Sequence, residues 1–181
     1  MNTQHLIHSI IQRIATGPEL SKNIEMEEAE VAMSAILSGE IDEVQTAIFL
    51  IALRMKRETM DENIGILKAL LKFTDSQKSA VDDLVDLGDP YSGYNRSIPI
   101  SAFLPPLLAE LGLPTLIHGL DSVSPKYGLT HRHISQALGI NVDLSVIESM
   151  ARIENRDIGW SYVDQNQYCK ALHDLVPLRN K

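Results

Sequence analysis

Val85-Asp86-Leu87-Gly88-Asp89-Pro90-Tyr91-Ser92-Gly93-Tyr94-Asn95-Arg96-Ser97 is the stretch on which the reading of the fold turns. Its first residues, from Leu84 to Leu87, read as a short strand, and Gly88 to Arg96 read as the loop that leaves it. Upstream, every apolar stretch repeats with helical spacing, whereas downstream short β-prone runs alternate with helical ones. That alternation is the order expected of parallel strands with covering helices. The spacing therefore predicts an α plus α/β chain: an N-terminal helical bundle over residues 1–75, then an incomplete parallel α/β domain over residues 80–181, joined by the polar linker Thr74-Asp75-Ser76-Gln77-Lys78.

Residues 1–75 hold only two of the nine aromatics, Phe49 and Phe73, so an aliphatic core is expected there. Leu6, Ile7, Ile10, Ile11 and Ile14 mark one face of a first helix, which Gly17-Pro18 should stop. A second helix presents Ala29, Ala32, Met33 and Ile36, and Gly39 suits the left-handed position beyond its end. Asp42 with Gln45, and Thr59 with Glu62, open two further helices as capping-box starts. Their core faces are read as Val44, Ala47, Ile48 and Ile51, then Ile64, Leu67, Leu70 and Leu71. In the second part, Pro114 to His118 and Ile158 to Val163 are the other strands. Helices are expected near Pro105-Pro106, over Thr130 to Leu138 ahead of Gly139, and after the Ser145 and Glu148 capping box.

Sixteen basic residues against twenty-four acidic ones give a net charge of −8, which argues against a nucleic-acid partner, since phosphate contacts need a cationic surplus. Arg54, Lys56 and Arg57 form the densest basic cluster, and an exposed helix end explains it. The lone Cys169 points to the reducing cytoplasm and is read as structural, and no apolar run is long enough to span a membrane.

Ligands of open α/β sheets bind at the carboxyl ends of strands, so three segments are candidates. The Gly88 to Ser97 loop has glycines, hydroxyls and an arginine that suit a phosphate, although a surface turn accounts for it too. His118-Gly119 closes the second strand, and Ser122 to Gly128 offers Ser124, Lys126 and Tyr127 to an anionic oxygen. Asp82, Asp83, Asp86 and Asp89 are compatible with a magnesium ion carried by a phosphate ligand, or with alternating exposure along one strand. His131, His133 and His173 have no metal-ligating spacing on a helix, and no protein metal site is expected.

Leu37-Ser38-Gly39-Glu40, Ala47-Ile48-Phe49-Leu50 and Ala52-Leu53-Arg54-Met55-Lys56 resemble the helical domain of anthranilate phosphoribosyltransferase and the related nucleoside phosphorylases. The resemblance continues through Val85-Asp86-Leu87-Gly88, Tyr94-Asn95-Arg96-Ser97, His118-Gly119, Ser124 with Lys126, Ala137-Leu138-Gly139 and Ile158-Gly159-Trp160. It implies a glycosyltransferase-type fold that forms a homodimer through its helical domain. It also implies binding of phosphoribosyl pyrophosphate, with magnesium, by Gly88, Asn95, Ser97, His118, Gly119, Ser124 and Lys126. To Lys181 the chain carries about the N-terminal half of the family's order of motifs.

Two central motifs depart from the family. Its Gly-Thr-Gly-Gly-Asp loop is replaced after Gly88 by Asp89-Pro90-Tyr91, where a proline removes a donor and a tyrosine takes a position of close backbone approach. The family's lysine before His-Gly and asparagine after it are Ile117 and Leu120 here. The expectation is a family protein with altered or lost phosphoribosyl transfer, and no catalytic residue is assigned. The alternatives are an active transferase when the fold is complete, and a nucleic-acid-binding or protein-interaction module derived from the family.

Overall fold

The helical first part owes its arrangement to one buried ion pair and one very close helix crossing. The structure is a computed structural model that describes residues 3–17, 19–89 and 92–180. It divides into two units, one ending at Thr74 and one starting at Asp75.

In the first unit, α1 (Thr3–Ile14) packs on α3 (Glu43–Lys56), and α2 (Met26–Leu37) packs on α4 (Met60–Lys72). Ile7, Ile10 and Ile14 bury the face of α1 that its spacing indicates, and Ala29, Ala32, Met33 and Ile36 do the same in α2. Gly39 follows the end of α2 with φ +77°, the left-handed turn a glycine accepts without strain. Pro18, half of the expected stop after α1, lies outside the described residues.

The other two helices bury different faces from those expected. In α3 the core residues are Thr46, Phe49, Ala52 and Leu53, while Val44, Ile48 and Ile51 are exposed. The α3 sequence is apolar nearly all round, so spacing alone allows two seams. In α4 the buried residues are Glu62, Gly65 and Ala69, with Ile64, Leu67 and Leu71 exposed. The reason is steric: a Cβ on Gly65 would lie 2.2 Å from the Met26 carbonyl oxygen and 2.9 Å from Ala29 Cβ, so α2 and α4 cross where only small side chains fit. Both helices thus carry an outward apolar stripe spaced i, i+4, i+7, i+11: Val44, Ile48, Ile51, Met55 and Met60, Ile64, Leu67, Leu71.

Glu62 ties this unit together. It is fully buried, accepts the Ile24 N–H at 2.9 Å and the Thr59 N–H at 2.8 Å, and faces Lys56 Nζ at 2.7 Å. Lys56 is therefore no exposed cation of a basic helix end: its side chain is 3% exposed.

The second unit is a three-stranded parallel sheet in the order β1 (Val85–Gly88), β2 (Thr115–Gly119), β3 (Trp160–Asp164). Gly88 pairs with His118, and Gly119 with Asp164, so all three carboxyl ends fall at one edge. A single 3-10 turn (Ile100–Phe103) leads into α5 (Leu104–Glu110), and α6 (His131–Ala137) and α7 (Val146–Glu154) complete the cover. After β3 come the short α8 (Gln165–Tyr168) and α9 (Lys170–His173), and a 3-10 turn over Val176–Asn180. Thr130 and Ser145 cap α6 and α7 with reciprocal capping boxes. Ile117, Val142 and Tyr162 form one buried apolar cluster of this unit, with Leu87 against it. Cys169 is buried and free. Among the described residues, no helix is long and apolar enough to cross a membrane.

Candidate functional site

Each strand hands its chain to the same edge: β1 ends at Gly88 with Asp89 next, β2 at His118-Gly119 and β3 at Asp164. On β1, Asp86 points its carboxylate at His118 of β2, 3.1 Å from Nε2. His118 Nδ1 lies 3.2 Å from the Tyr168 hydroxyl, and the two rings meet edge-on with centroids 5.3 Å apart. Burial pushes the Tyr168 hydroxyl up to about 12, ahead of smaller contributions from Cys169, Asp164 and Asp86, so it stays protonated as a donor.

Asp89 follows β1 and is buried, its N–H donating to the His118 carbonyl at 2.9 Å. Gly119 closes β2 against it: a Cβ there would sit 3.2 Å from Asp89 Cβ and 3.8 Å from the Tyr162 hydroxyl. At the end of β3, Asp164 accepts from the Arg132 guanidinium at 3.0 Å and caps α8 through the Asn166 N–H at 2.9 Å. Arg132 also donates to Asp143 at 2.6 Å and to the Val142 carbonyl at 3.2 Å. Desolvation works against its charge, and the two carboxylates outweigh that and hold its pKa up. Burial, reinforced by Asp164, keeps the Tyr162 hydroxyl protonated.

Beyond the strands, two loops cross. Tyr94 and Leu129 form an antiparallel bridge, and Asn95 Nδ2 donates to the Lys126 carbonyl at 3.0 Å. Glycine is required at both crossing points. A Cβ on Gly93, which has φ +101°, would lie 2.3 Å from the Gly128 carbonyl oxygen, and one on Gly128 would lie 2.2 Å from Asn95 Oδ1.

Of the residues singled out in the sequence, Gly88, His118 and Gly119 meet at the sheet edge, and Asn95 joins the Lys126 backbone in the crossed loops. Ser124 is half-buried in the same loop, and Ser97 lies exposed on the other. Pro90 and Tyr91, on which the loss of the glycine loop was argued, are outside the described residues. Ile117, where the family pattern has a lysine, is 2% exposed and spent on the core. Of the four aspartates, only Asp86 lies in the strand, and Asp89 is buried rather than solvent-facing. Sequence reasoning passed over Asp164, Arg132, Tyr162 and Tyr168. The one signal for Asp164 was its place at the end of the last strand.

Among the described residues no group of three or more His, Cys, Asp or Glu side chains is arranged to hold a metal ion. His131 and His133 diverge, toward Asp89 and Asp121 respectively. A cleft of about 630 Å³ opens at the opposite end of the sheet, lined by residues such as Asp82, Asp83, Leu113 and Arg156. It carries none of the strand-end groups, so the chemistry argues for the edge and not for this hollow.

Residues 8–74 match the family model described as glycosyl transferase family, helical bundle domain. An uncharacterized protein of Aquifex aeolicus is 30% identical over 160 residues, 88% of this chain and 46% of that protein. The anthranilate phosphoribosyltransferase of a Bradyrhizobium species is 31% identical over 176 residues, 96% of this chain and 49% of its own length. Among solved structures, the anthranilate phosphoribosyltransferase of Thermus thermophilus superposes with a TM-score of 0.78 at 21% identity, covering 97% of this chain and 50% of that one. A variant of the Saccharomyces cerevisiae enzyme with magnesium bound superposes at 0.68 and 15% identity, over 98% of this chain and 49% of that one. The chain spans about half the length of the curated relatives it matches.

Proposed function

From a chain that along its length resembles the N-terminal half of the anthranilate phosphoribosyltransferases, we propose a protein that holds a small phosphorylated ligand at its crossed loops but does not by itself transfer phosphoribosyl groups. The observation that carries this is the sign of the strand ends: Asp86, Asp89 and Asp164 stand there together. The Arg132 guanidinium at this edge is already engaged by Asp143 and Asp164, and the Asp86 carboxylate lies against His118 Nε2. A diphosphate brought here meets carboxylates in place of free donors, and repulsion of like charges raises the energy of the very group that must leave. Ile117, buried in the core, supplies no replacement cation. Nor do the described residues form a cage for magnesium, so any such ion would have to arrive with its ligand.

The crossed loops differ in character. Asn95 is tied to the Lys126 carbonyl, and the two loops carry the hydroxyls of Ser97 and Ser124, a composition without the strand-end carboxylates that suits one phosphate better than a diphosphate. Calorimetric titration with ribose 5-phosphate and with phosphoribosyl pyrophosphate plus magnesium tests the reading. Comparable affinities, with no diphosphate released in the presence of anthranilate, are expected. Tighter binding of the diphosphate by a hundredfold, or turnover, overturns it.

Homodimerisation belongs to the same proposal. The apolar stripes of α3 and α4 face solvent and fit a second copy of the helical unit better than isolation in water. A second reading of the activity is favoured by the coverage of only about half of each relative: within a longer chain, the same edge would be one wall of a working transferase. The net charge of −8 supports neither reading as a nucleic-acid binder.

A further inference from the structure

Beside Asp89 lie Ser101 and His131, two polar groups that have no task in that reading. Ser101 Oγ lies 2.8 Å from His131 Nε2, and on the other side of the same ring His131 Nδ1 lies 3.5 Å from Asp89 Oδ2. We propose that Ser101, His131 and Asp89 form an activated-hydroxyl centre that acts on small apolar esters, with Ser101 as nucleophile, His131 as its base and Asp89 as a positioning residue. The proposal stands independently of phosphate binding.

The three groups come from three elements: the residue after β1, the first residue of α6 and the 3-10 turn. Acid and base are shielded, with side chains 3% and 7% exposed, while Ser101 is half-buried and reachable. Tyr94 stacks on the His131 ring at 6.5 Å and 16°, and the Asp89 carboxylate accepts the His131 backbone N–H at 3.3 Å, which fixes the start of α6 against Asp89. Ile100 and Phe103, the exposed neighbours of Ser101 in its turn, offer an apolar seat for an acyl or aryl group.

Protonation follows from the surroundings. Burial lowers the His131 pKa and the Asp89 charge only partly opposes it, so the ring is neutral at neutral pH and carries one N–H. An anion beside Nδ1 favours the proton there, which leaves Nε2 free to accept from the Ser101 hydroxyl. The groups facing the ring are Asp89, Ser101 and Tyr94. Two buried atoms still lack a hydrogen-bond partner, Asp89 Oδ1 and His131 Nδ1. Such contacts are long in unliganded sites and tighten when substrate binds.

The step balances without any added redox partner. Ser101 Oγ bonds to the ester carbonyl carbon while its proton passes to His131 Nε2. That proton then goes to the departing alcohol oxygen as the ester C–O bond breaks. Water attacks the acyl-serine, His131 takes its proton, and the carboxylic acid leaves as Oγ is reprotonated.

A fluorophosphonate probe tests this on the whole 181-residue chain. Its phosphorus bonds to the serine oxygen, fluoride leaves, and the hydroxyl proton goes through the base to water. One adduct, mapped to Ser101 by peptide mass spectrometry, is expected. Ser101→Ala should abolish it with an unchanged thermal melt, and His131→Gln should slow labelling about a hundredfold, as the loss of a general base does. Asp89→Asn should shift the acid limb of the pH profile of labelling, a readout that a merely structural carboxylate would leave in place. The proposal is overturned if the folded chain stays unlabelled at Ser101, if several serines label at similar rates, or if a folded His131→Gln chain labels as fast as the parent.

Discussion

Removing the Glu62 carboxylate should unfold the helical unit more effectively than any apolar truncation within it. Glu62 is 0% exposed and is the meeting point of three chain segments: the Ile24 N–H that leads into α2, Lys56 at the end of α3, and the Thr59 N–H at the start of α4. Glu62→Ala leaves the Lys56 ammonium buried without its countercharge, a change that costs about 3–5 kcal/mol, and it opens the capping box for about 1 more. The terms are not strictly additive. Their sum, at least about 4 kcal/mol, is still comparable to the whole stability of a small domain. Urea titration followed by helical circular dichroism reads the loss. If the pair is the source of the cost, Lys56→Met combined with Glu62→Leu should be far less destabilised than Glu62→Ala alone, because both charges then leave together. Burial pushes the Glu62 carboxyl up, but Lys56 and the two N–H donors outweigh it and hold the pKa below its ordinary value. Stability from this group is therefore present above the unfolded carboxylate pKa, about 4.3, and is lost as pH falls through the lower folded value. A cost below about 1 kcal/mol for Glu62→Ala, or a double variant as weak as the sum of the singles, would refute the reasoning.

Gly65→Ala should destabilise the same unit by about 1–3 kcal/mol in the same titration despite the better helix propensity of alanine, since its Cβ would meet the Met26 carbonyl at 2.2 Å. In the second unit, Arg132→Ala leaves the buried Asp164 without its cation, and a loss of about 3 kcal/mol is expected in thermal melts, recovered in part by adding Asp164→Asn. Ile51→Glu and Leu67→Glu, placed on the outward stripes, should leave the melt within about 0.5 kcal/mol of the parent and shift the sedimentation coefficient toward a monomer. Gly93→Ala should abolish ribose 5-phosphate binding while sparing the sheet, because the clash falls on the Gly128 backbone in the crossed loops.

Chain order and element type were legible because the signals are local. The Thr59 and Ser145 capping boxes announce two of the helices, and each of the three strands is a short β-prone run beside a turn. What periodicity could not settle was which side of an apolar helix is used. In α3 and α4 the answer depends on how closely the neighbouring helix approaches, as Gly65 against Met26 shows, and that distance is not written in either helix alone. The site divided in the same way. Gly88, His118 and Gly119 are found from their places at strand ends, whereas the pairing of Asp86 with His118 and of Arg132 with Asp164 joins residues 32 apart in each case. Ser101 and His131, 30 residues apart, carried no joint signal until the fold brought hydroxyl and imidazole to 2.8 Å.

The proposal that the acidic strand ends oppose phosphoribosyl transfer by this chain is tested most directly by measuring diphosphate release from phosphoribosyl pyrophosphate, magnesium and anthranilate with the parent chain and with an Asp86→Asn variant. The account predicts no release above the uncatalysed background from the parent. It also predicts that the variant, with one carboxylate removed, binds phosphoribosyl pyrophosphate more tightly than the parent. Catalysed release by the parent chain, or a folded variant that binds the diphosphate no better, would contradict it.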